Sequence, residues 1–299
     1  MLPIVHNPHY DAEFPPGHRF PMAKFRRIAE ILVEDGLAAA GAFHVPAEAP
    51  AGWIGLAHDP AYVDQVFGAA VPDRIAREIG FAMTPRVARR ARTASAGTVM
   101  TGRLALEFGL ACNTAGGSHH ARREQGSGFC VFNDVAVAIR VLQADGLIGR
   151  ALVVDLDVHQ GDGTAAIFAG DGSVFTLSMH AERNFPARKV PSDLDIGLAD
   201  DTSDEAYLAA LTAALPDAID RHRPDIVFYN AGVDPHVEDR LGRLALSDAG
   251  LAERDRRVIG TVRDRGLPLA CVLGGGYQDD IDRLARLHTI IHRVAREFV

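Results

Sequence analysis

The chain predicts a single α/β domain with a mostly parallel central sheet and helices on both faces. Three observations carry this. Short apolar runs are continuous rather than alternating, as in strands covered on both sides. Helical repeats separate these runs, which implies parallel strands joined by crossovers. Polar or glycine-rich clusters follow the runs directly, where ligands sit in such sheets.

In chain order, Ile4–His6 is the first apolar run, and Phe20–Glu34 repeats apolar residues at helical spacing. Pro85–Phe108 is a second helix. It is followed by a strand end carrying Gly-Gly-Ser-His119-His120, and then by a helix over Val131–Ala144. Ala151–Asp155 and Val174–Ser178 are strands; Asn184–Asp200, rich in Pro, Asp and basic residues, is the longest irregular stretch. Ser203–His222 is a helix that opens with Ser-Asp-Glu and closes before Pro224. Strand Ile226–Asn230, helix Ser247–Arg265, strand Pro268–Leu273 and helix Asp279–Phe298 complete the order. No repeat or linker divides the 299 residues, so one domain over 1–299 is expected.

Composition excludes several classes. The net charge is −8 and no long basic run exists, which argues against a nucleic-acid partner. The arginine-rich piece Arg86–Arg92 reads as the solvated face of a helix. Cys112, Cys130 and Cys271 form no CxxC, so neither disulfides nor a cysteine zinc knuckle is expected, and Cys130 reads as a packed core thiol. The start lacks a signal-peptide pattern and no run is apolar enough to span a membrane, so the expected compartment is the cytoplasm.

The chemistry lies in the clusters after the strands. Asp155, Asp157 and His159 alternate along an extended segment, which puts all three on one side. Asp157 and His159, with Asp234 from a later strand end, make two carboxylates and an imidazole, a set suited to zinc or another divalent first-row metal. Three protein ligands leave a position open for water and substrate, the catalytic pattern. Taken singly, each cluster also reads as a hydrogen-bonded strand end or a turn; their convergence on one rim argues for a site. His236 and Glu238 read as loop residues. The His119–His120 pair can move protons, with Asp155 and Asp162 available to fix the tautomers. Gly274-Gly275-Gly276 lets the backbone approach a ligand, and Tyr277 can donate a hydrogen bond to a developing oxyanion. Ser118 does not sit in a nucleophile elbow.

These residues resemble the zinc-dependent histone deacetylase superfamily, in particular its class IV-like and bacterial members. The resemblance covers nearly the whole chain. Besides the clusters above, it rests on Gly128-Phe129-Cys130-Val-Phe-Asn133-Asp134, Asp193-Leu-Asp195 and Asn230-Ala-Gly-Val-Asp234, all in order. It implies an arginase/deacetylase fold and zinc on Asp157, His159 and Asp234, although iron(II) fits the same ligands. It implies His119 paired with Asp155, His120 with Asp162, and Tyr277 on the substrate carbonyl. Gly128 and Phe129, with Gly275, would line the acyl channel, and Phe185 is the candidate for its second aromatic wall. A structural potassium ion is implied at Asp155, Asp157, His159, Ser178 and Met179. Gln160 departs from the class I and II pattern, where a second histidine is usual. The arginase branch shares the fold, yet its two-manganese site needs carboxylates where this chain has Gly161 and Gly232. The implied activity is hydrolysis of N-acyl lysine amides in peptides or proteins. The runner-up is a small-molecule amidohydrolase on acetylpolyamines or other N-acyl amines, and a silent acyl-peptide-binding scaffold is a third reading.

Overall fold

The structure is a computed structural model and describes residues 2–15 and 17–299. In chain order the elements are β1 (Ile4–Val5), α1 (Lys24–Glu34), α2 (Ala51–Ile54), α3 (Pro60–Phe67), α4 (Asp73–Ile79), α5 (Pro85–Phe108) and β2 (Leu110–Asn113). Next come α6 (Asp134–Ala144), β3 (Ala151–Asp155), α7 (Asp162–Phe168), β4 (Val174–Ala181), β5 (Leu194–Leu198) and α8 (Asp204–His222). Last are β6 (Ile226–Asn230), α9 (Asp248–Arg263), β7 (Leu269–Val272), α10 (Ile281–His288) and α11 (Ile290–Arg296).

The strands form one sheet in the order β1-β2-β7-β6-β3-β4-β5, and every pairing is parallel. Every residue of β2, β3, β6 and β7 is buried, so successive side chains on both faces are covered. Helices α5 and α6 pack together on the sheet, and α8, α9 and α11 form a second packed set. Full burial of one aliphatic side chain in such a core contributes about 1.5–3 kcal/mol. No helix is long and apolar enough to cross a membrane among the described residues.

Register places the functional edge. Asp155, the last residue of β3, lies beside Ser178 of β4 and Asn230 of β6, and Asn230 lies beside Val272 of β7. Strands β3, β6 and β7 thus end in one row, with β4 running three residues further, and the polar clusters continue from it. Local signals explain the boundaries. The Thr84 hydroxyl caps α5 at the Val87 amide, Pro85 opens the first turn, and Gly109 (φ +86°) ends the helix directly before β2.

Several expectations change. Helix α1 begins at Lys24 rather than Phe20, because Phe20 turns into the core and Pro21 starts a turn. The stretch Asn184–Asp200 is not wholly irregular: β5 lies within it as an edge strand whose residues alternate between half-buried and exposed. Its Asp and Gly hid it from a search for continuous apolar runs. The final helix divides at Thr289 into α10 and α11. The arginines of α5 are not all solvated. Arg90 is buried, lies 4.6 Å from the Phe25 ring centre, and donates through Nε to Tyr10 O at 3.0 Å.

Candidate active site

Asp157, His159 and Asp234 meet just beyond β3 and β6, each offering a ligand atom within 4.8 Å of the others. All three are buried. His159 Nδ1 is 3.0 Å from Asp157 Oδ1 and 3.2 Å from Asp234 Oδ2. Donor atoms around a tetrahedral ion with bonds of roughly 2.0 Å sit about 3.3 Å apart, so the spacing fits one divalent ion. The remaining valences are taken: the Gly275 amide donates to Asp157 Oδ2 at 2.6 Å and the Val158 amide to Asp234 Oδ1 at 2.9 Å. Asp234 Oδ2 is buried with no hydrogen-bond partner, an orphan that a cation satisfies. Burial and the neighbouring Asp157 carboxylate raise the Asp234 pKa to about 7. Burial works against charge on His159 too, but Asp157 and Asp234 outweigh it and lift that pKa to about 10. A proton and a metal ion therefore compete for one place between the same carboxylates.

Two histidine–carboxylate pairs stand beside this point. His119 Nδ1 lies 2.7 Å from Asp155 Oδ2, and His120 Nδ1 lies 2.6 Å from Asp162 Oδ1. The carboxylates differ in their other partners. Asp155 Oδ1 accepts from Asn230 Nδ2 at 2.9 Å, whereas Asp162 Oδ2 accepts from Arg122 at 2.7 Å, a cation that draws charge away from His120. Burial opposes protonation of His119, but Asp155 and Asp157 raise its pKa to about 9. Burial, then repulsion from His119, lowers His120 to about 4. A cation beside Asp157 would cancel part of the field that lifts His119. The turn carrying the pair is held by Asp134, which accepts from the Gly117 and Ser118 amides at 3.1 and 2.7 Å.

A cavity of about 340 Å³ opens from this floor to solvent, lined by Phe129, Phe185, His120, His159 and Tyr277, with Arg19 and Arg77 at its mouth. Phe185 stands edge-on to His120 at 4.8 Å between ring centres and faces the same cavity as Phe129. The inner end, bordered by His119, Gly128, Gly275 and Arg90, encloses about 30 Å³, room for roughly two waters. Gly128 is required where it is: its φ is +52°, and a Cβ there would lie 2.6 Å from His120 Cδ2. Phe129 follows with φ +66°, held there by its amide on Ile79 O at 2.7 Å. Burial, then the Asp157 and Asp234 carboxylates, push the Tyr277 phenol well above its ordinary pKa, so it stays a donor. Ser178 lies beside Asp155 through the β3–β4 register, and Met179 follows it along β4. A second depression of about 690 Å³, beside Phe14, Phe81 and Arg86, holds none of these groups.

The histone deacetylase domain profile matches residues 18–293. The chain belongs to the histone deacetylase family. It is 48% identical over 296 residues to an uncharacterized protein of Picosynechococcus sp., covering 99% of each chain. It is 31% identical to histone deacetylase 2 of Arabidopsis thaliana, over 95% of this chain and 78% of that one. A probable deacetylase of Methanothermobacter thermautotrophicus is 28% identical, over 93% and 86%. The crystal structure of the HDA15 HD domain superposes with a TM-score of 0.80 at 20% identity, covering 99% of this chain and 91% of that one, which shows the shared fold. The family and fold make the chain an amide hydrolase with a single arginase/deacetylase-type domain.

Some residues that brace the candidate site carry no local sequence signal. Arg254, fully buried on α9, donates to Gly232 O at 2.6 Å and to Leu156 O at 3.3 Å, so it ties together the residues leading to two of the candidate ligands. Gln160 donates to Asp195 Oδ1 and Val190 O, both at 2.8 Å, and fastens the segment before β5 to the site. His236 contacts Asp248 at 3.0 Å and takes no part in the ligand cluster.

Proposed function

We propose that the chain is a zinc-dependent deacylase that hydrolyses the amide of N-acyl lysine side chains in peptides or proteins, with acetyl-type groups preferred. The observation that carries this is the convergence of three ligating side chains, two carboxylate-backed histidines and a phenol on one buried floor beneath an aromatic-walled cavity. Zinc bound by Asp157, His159 and Asp234 would polarise the amide carbonyl and make water nucleophilic near neutral pH. Iron(II) suits the same donors.

The chain's own groups supply the rest. Asp155 and Asp162 engage the Nδ1 atoms of His119 and His120, so proton exchange falls to Nε2 in each ring. His120 accepts the proton lost by the attacking water, and a protonated histidine of the pair delivers one to the departing amine nitrogen. The Tyr277 hydroxyl donates to the carbonyl oxygen as negative charge develops there. Phe129 and Phe185 flank the aliphatic stem of the lysine, and Gly128 and Gly275 allow close approach at the inner end. We assign a potassium ion to the ends of β3 and β4, at Asp155, Asp157, His159, Ser178 and Met179, on the family resemblance and the strand register.

The mouth favours acyl-lysine over acylpolyamines. Arg19 and Arg77 make no ion pair among the described residues, whereas Glu78 is engaged by Arg74 and Gln125. A polyamine would bring positive charge to positive charge. The small inner end supports short acyl groups. The test is steady-state kinetics on acyl-lysine peptides with acidic or basic neighbours and on acetylpolyamines, using zinc-loaded, chelated and Asp157→Asn protein. Zinc-loaded enzyme should turn over acetyl-lysine peptides, with the lowest KM beside acidic residues, and chelation or Asp157→Asn should abolish turnover. Faster turnover of acetylpolyamines than of every peptide would overturn the substrate assignment. Full activity after chelation would overturn the metal assignment.

A further inference from the structure

We infer that Asp239 and Lys24 are positioning residues for Tyr277, clamping its backbone from two sides. The inference rests on the reading of Tyr277 as donor to the substrate carbonyl. Tyr277 follows three glycines in a segment without regular structure, between β7 and α10. Glycines loosen the backbone, so the direction of the phenol must be set from outside.

The contacts that set it come from a distant loop and from α1. The Tyr277 amide donates to Asp239 Oδ2 at 2.6 Å, and the Arg240 amide donates to Tyr277 O at 3.1 Å. Both backbone polar groups of Tyr277 are thus taken by adjacent residues of one loop. Asp239 Oδ1 accepts from the Leu241 and Gly242 amides at 2.8 and 2.9 Å. Its two oxygens are committed to backbone, which leaves the carboxylate a brace rather than a ligand. On the other side, Lys24, almost wholly buried, donates through Nζ to Gly276 O at 3.2 Å, with its ammonium 5.7 Å from the Tyr277 ring centre. The same loop reaches the channel wall, since Asn184 Nδ2 donates to Leu241 O at 2.6 Å beside Phe185.

A brace on Tyr277 and a merely structural carboxylate predict different behaviour in a double-mutant cycle. Asp239→Asn keeps the shape but turns one acceptor oxygen into a donor, so either the Tyr277 amide or the turn loses its partner. Asp239→Asn and Lys24→Met should each lower kcat about tenfold or more with KM held within about threefold, the signature of a group that acts in the transition state. Added to Tyr277→Phe, each should cost less than about twofold further, because the group they direct is already gone. Zinc content and melting are measured alongside, and if Asp239→Asn does not fold, Lys24→Met decides by the same cycle. An equal loss in both backgrounds, or wild-type kcat in the single variants, overturns the clamp. A fully active Tyr277→Phe would overturn the donor role and the clamp with it. An impaired Tyr277→Phe with additive losses would overturn the clamp alone.

Discussion

At the scale of single residues, the site depends on atoms that are not there. Gly128 leaves the space in which His120 Cδ2 sits, and Gly275 brings its amide onto Asp157, where a Cβ would collide with Asp234 Oδ2. Gly128→Ala is therefore expected to displace the His120 ring and adopt a strained backbone. Its kcat should fall by on the order of 100-fold, with zinc content retained, as measured by steady-state kinetics and metal analysis. The candidate ligands and the histidine pair were legible in the sequence because each sits in a short motif past a strand. The extended course expected over Asp155–His159 was not met, since β3 stops at Asp155 and residues 157–159 bend, with the Asp157 and His159 amides donating to the side chains of Asp155 and Asp157. Arg90, Lys24 and Asp239 were not legible. The same letter serves for an arginine in water and one stacked on Phe25, and Lys24 meets Gly276 only after the chain has folded back across more than two hundred positions.

At the scale of elements, β3 and β6 lead to the candidate ligands, and α9 holds the residues just before two of them in place through Arg254. That guanidinium is neutralised by Asp255, which also accepts from Tyr229 Oη at 2.5 Å. Arg254→Met should destabilise the fold by about 3–5 kcal/mol, because it strands the Asp255 charge in the core. It should also weaken zinc binding by on the order of tenfold, since the carbonyls of Leu156 and Gly232 lose their anchor. Pairing it with Asp255→Leu should recover most of the melting temperature and none of the zinc affinity; thermal melting and competitive zinc titration read the two effects apart. The central strands were legible from continuous apolar runs and α5 from apolar residues at helical spacing. The short helices α2, α3, α4 and α7 carry too few turns to show a period, and β5 is half exposed at the sheet edge, so tertiary packing rather than local pattern defines them.

At the scale of the whole molecule, histidines held neutral by their surroundings weaken the fold on acidification. His58 uses both ring nitrogens: Nδ1 donates to Arg122 O at 2.9 Å, and Nε2 accepts from the Asn133 amide at 2.9 Å. Burial lowers its pKa to about 4, and burial does the same for His6 and His292. The unfolded chain takes up these protons first on acidification. The stability they contribute is thus complete above about pH 6.5 and is lost as pH falls toward 4. At pH 5 the loss at His58 alone is about 2 kcal/mol. Between pH 8 and pH 5, denaturant unfolding of His58→Gln should show a change in stability less unfavourable than that of the wild type by about 2 kcal/mol; equal changes would remove His58 from the account. The fold class was legible at this scale because alternating strands and helices leave few topologies open.

The packing around Gly161 and Gly232 also bears on how such a protein can evolve. A Cβ at Gly161 would collide with Asp155 Oδ2, and one at Gly232 would lie 2.7 Å from Asp157 Oδ2. Each of the two carboxylates that would recruit a second ion would first displace a side chain already in use, Asp155 behind His119 in one case and the candidate ligand Asp157 in the other. On this backbone a second ion would need both contacts relieved first, by a shift of the strand ends ahead of any change in ligand chemistry.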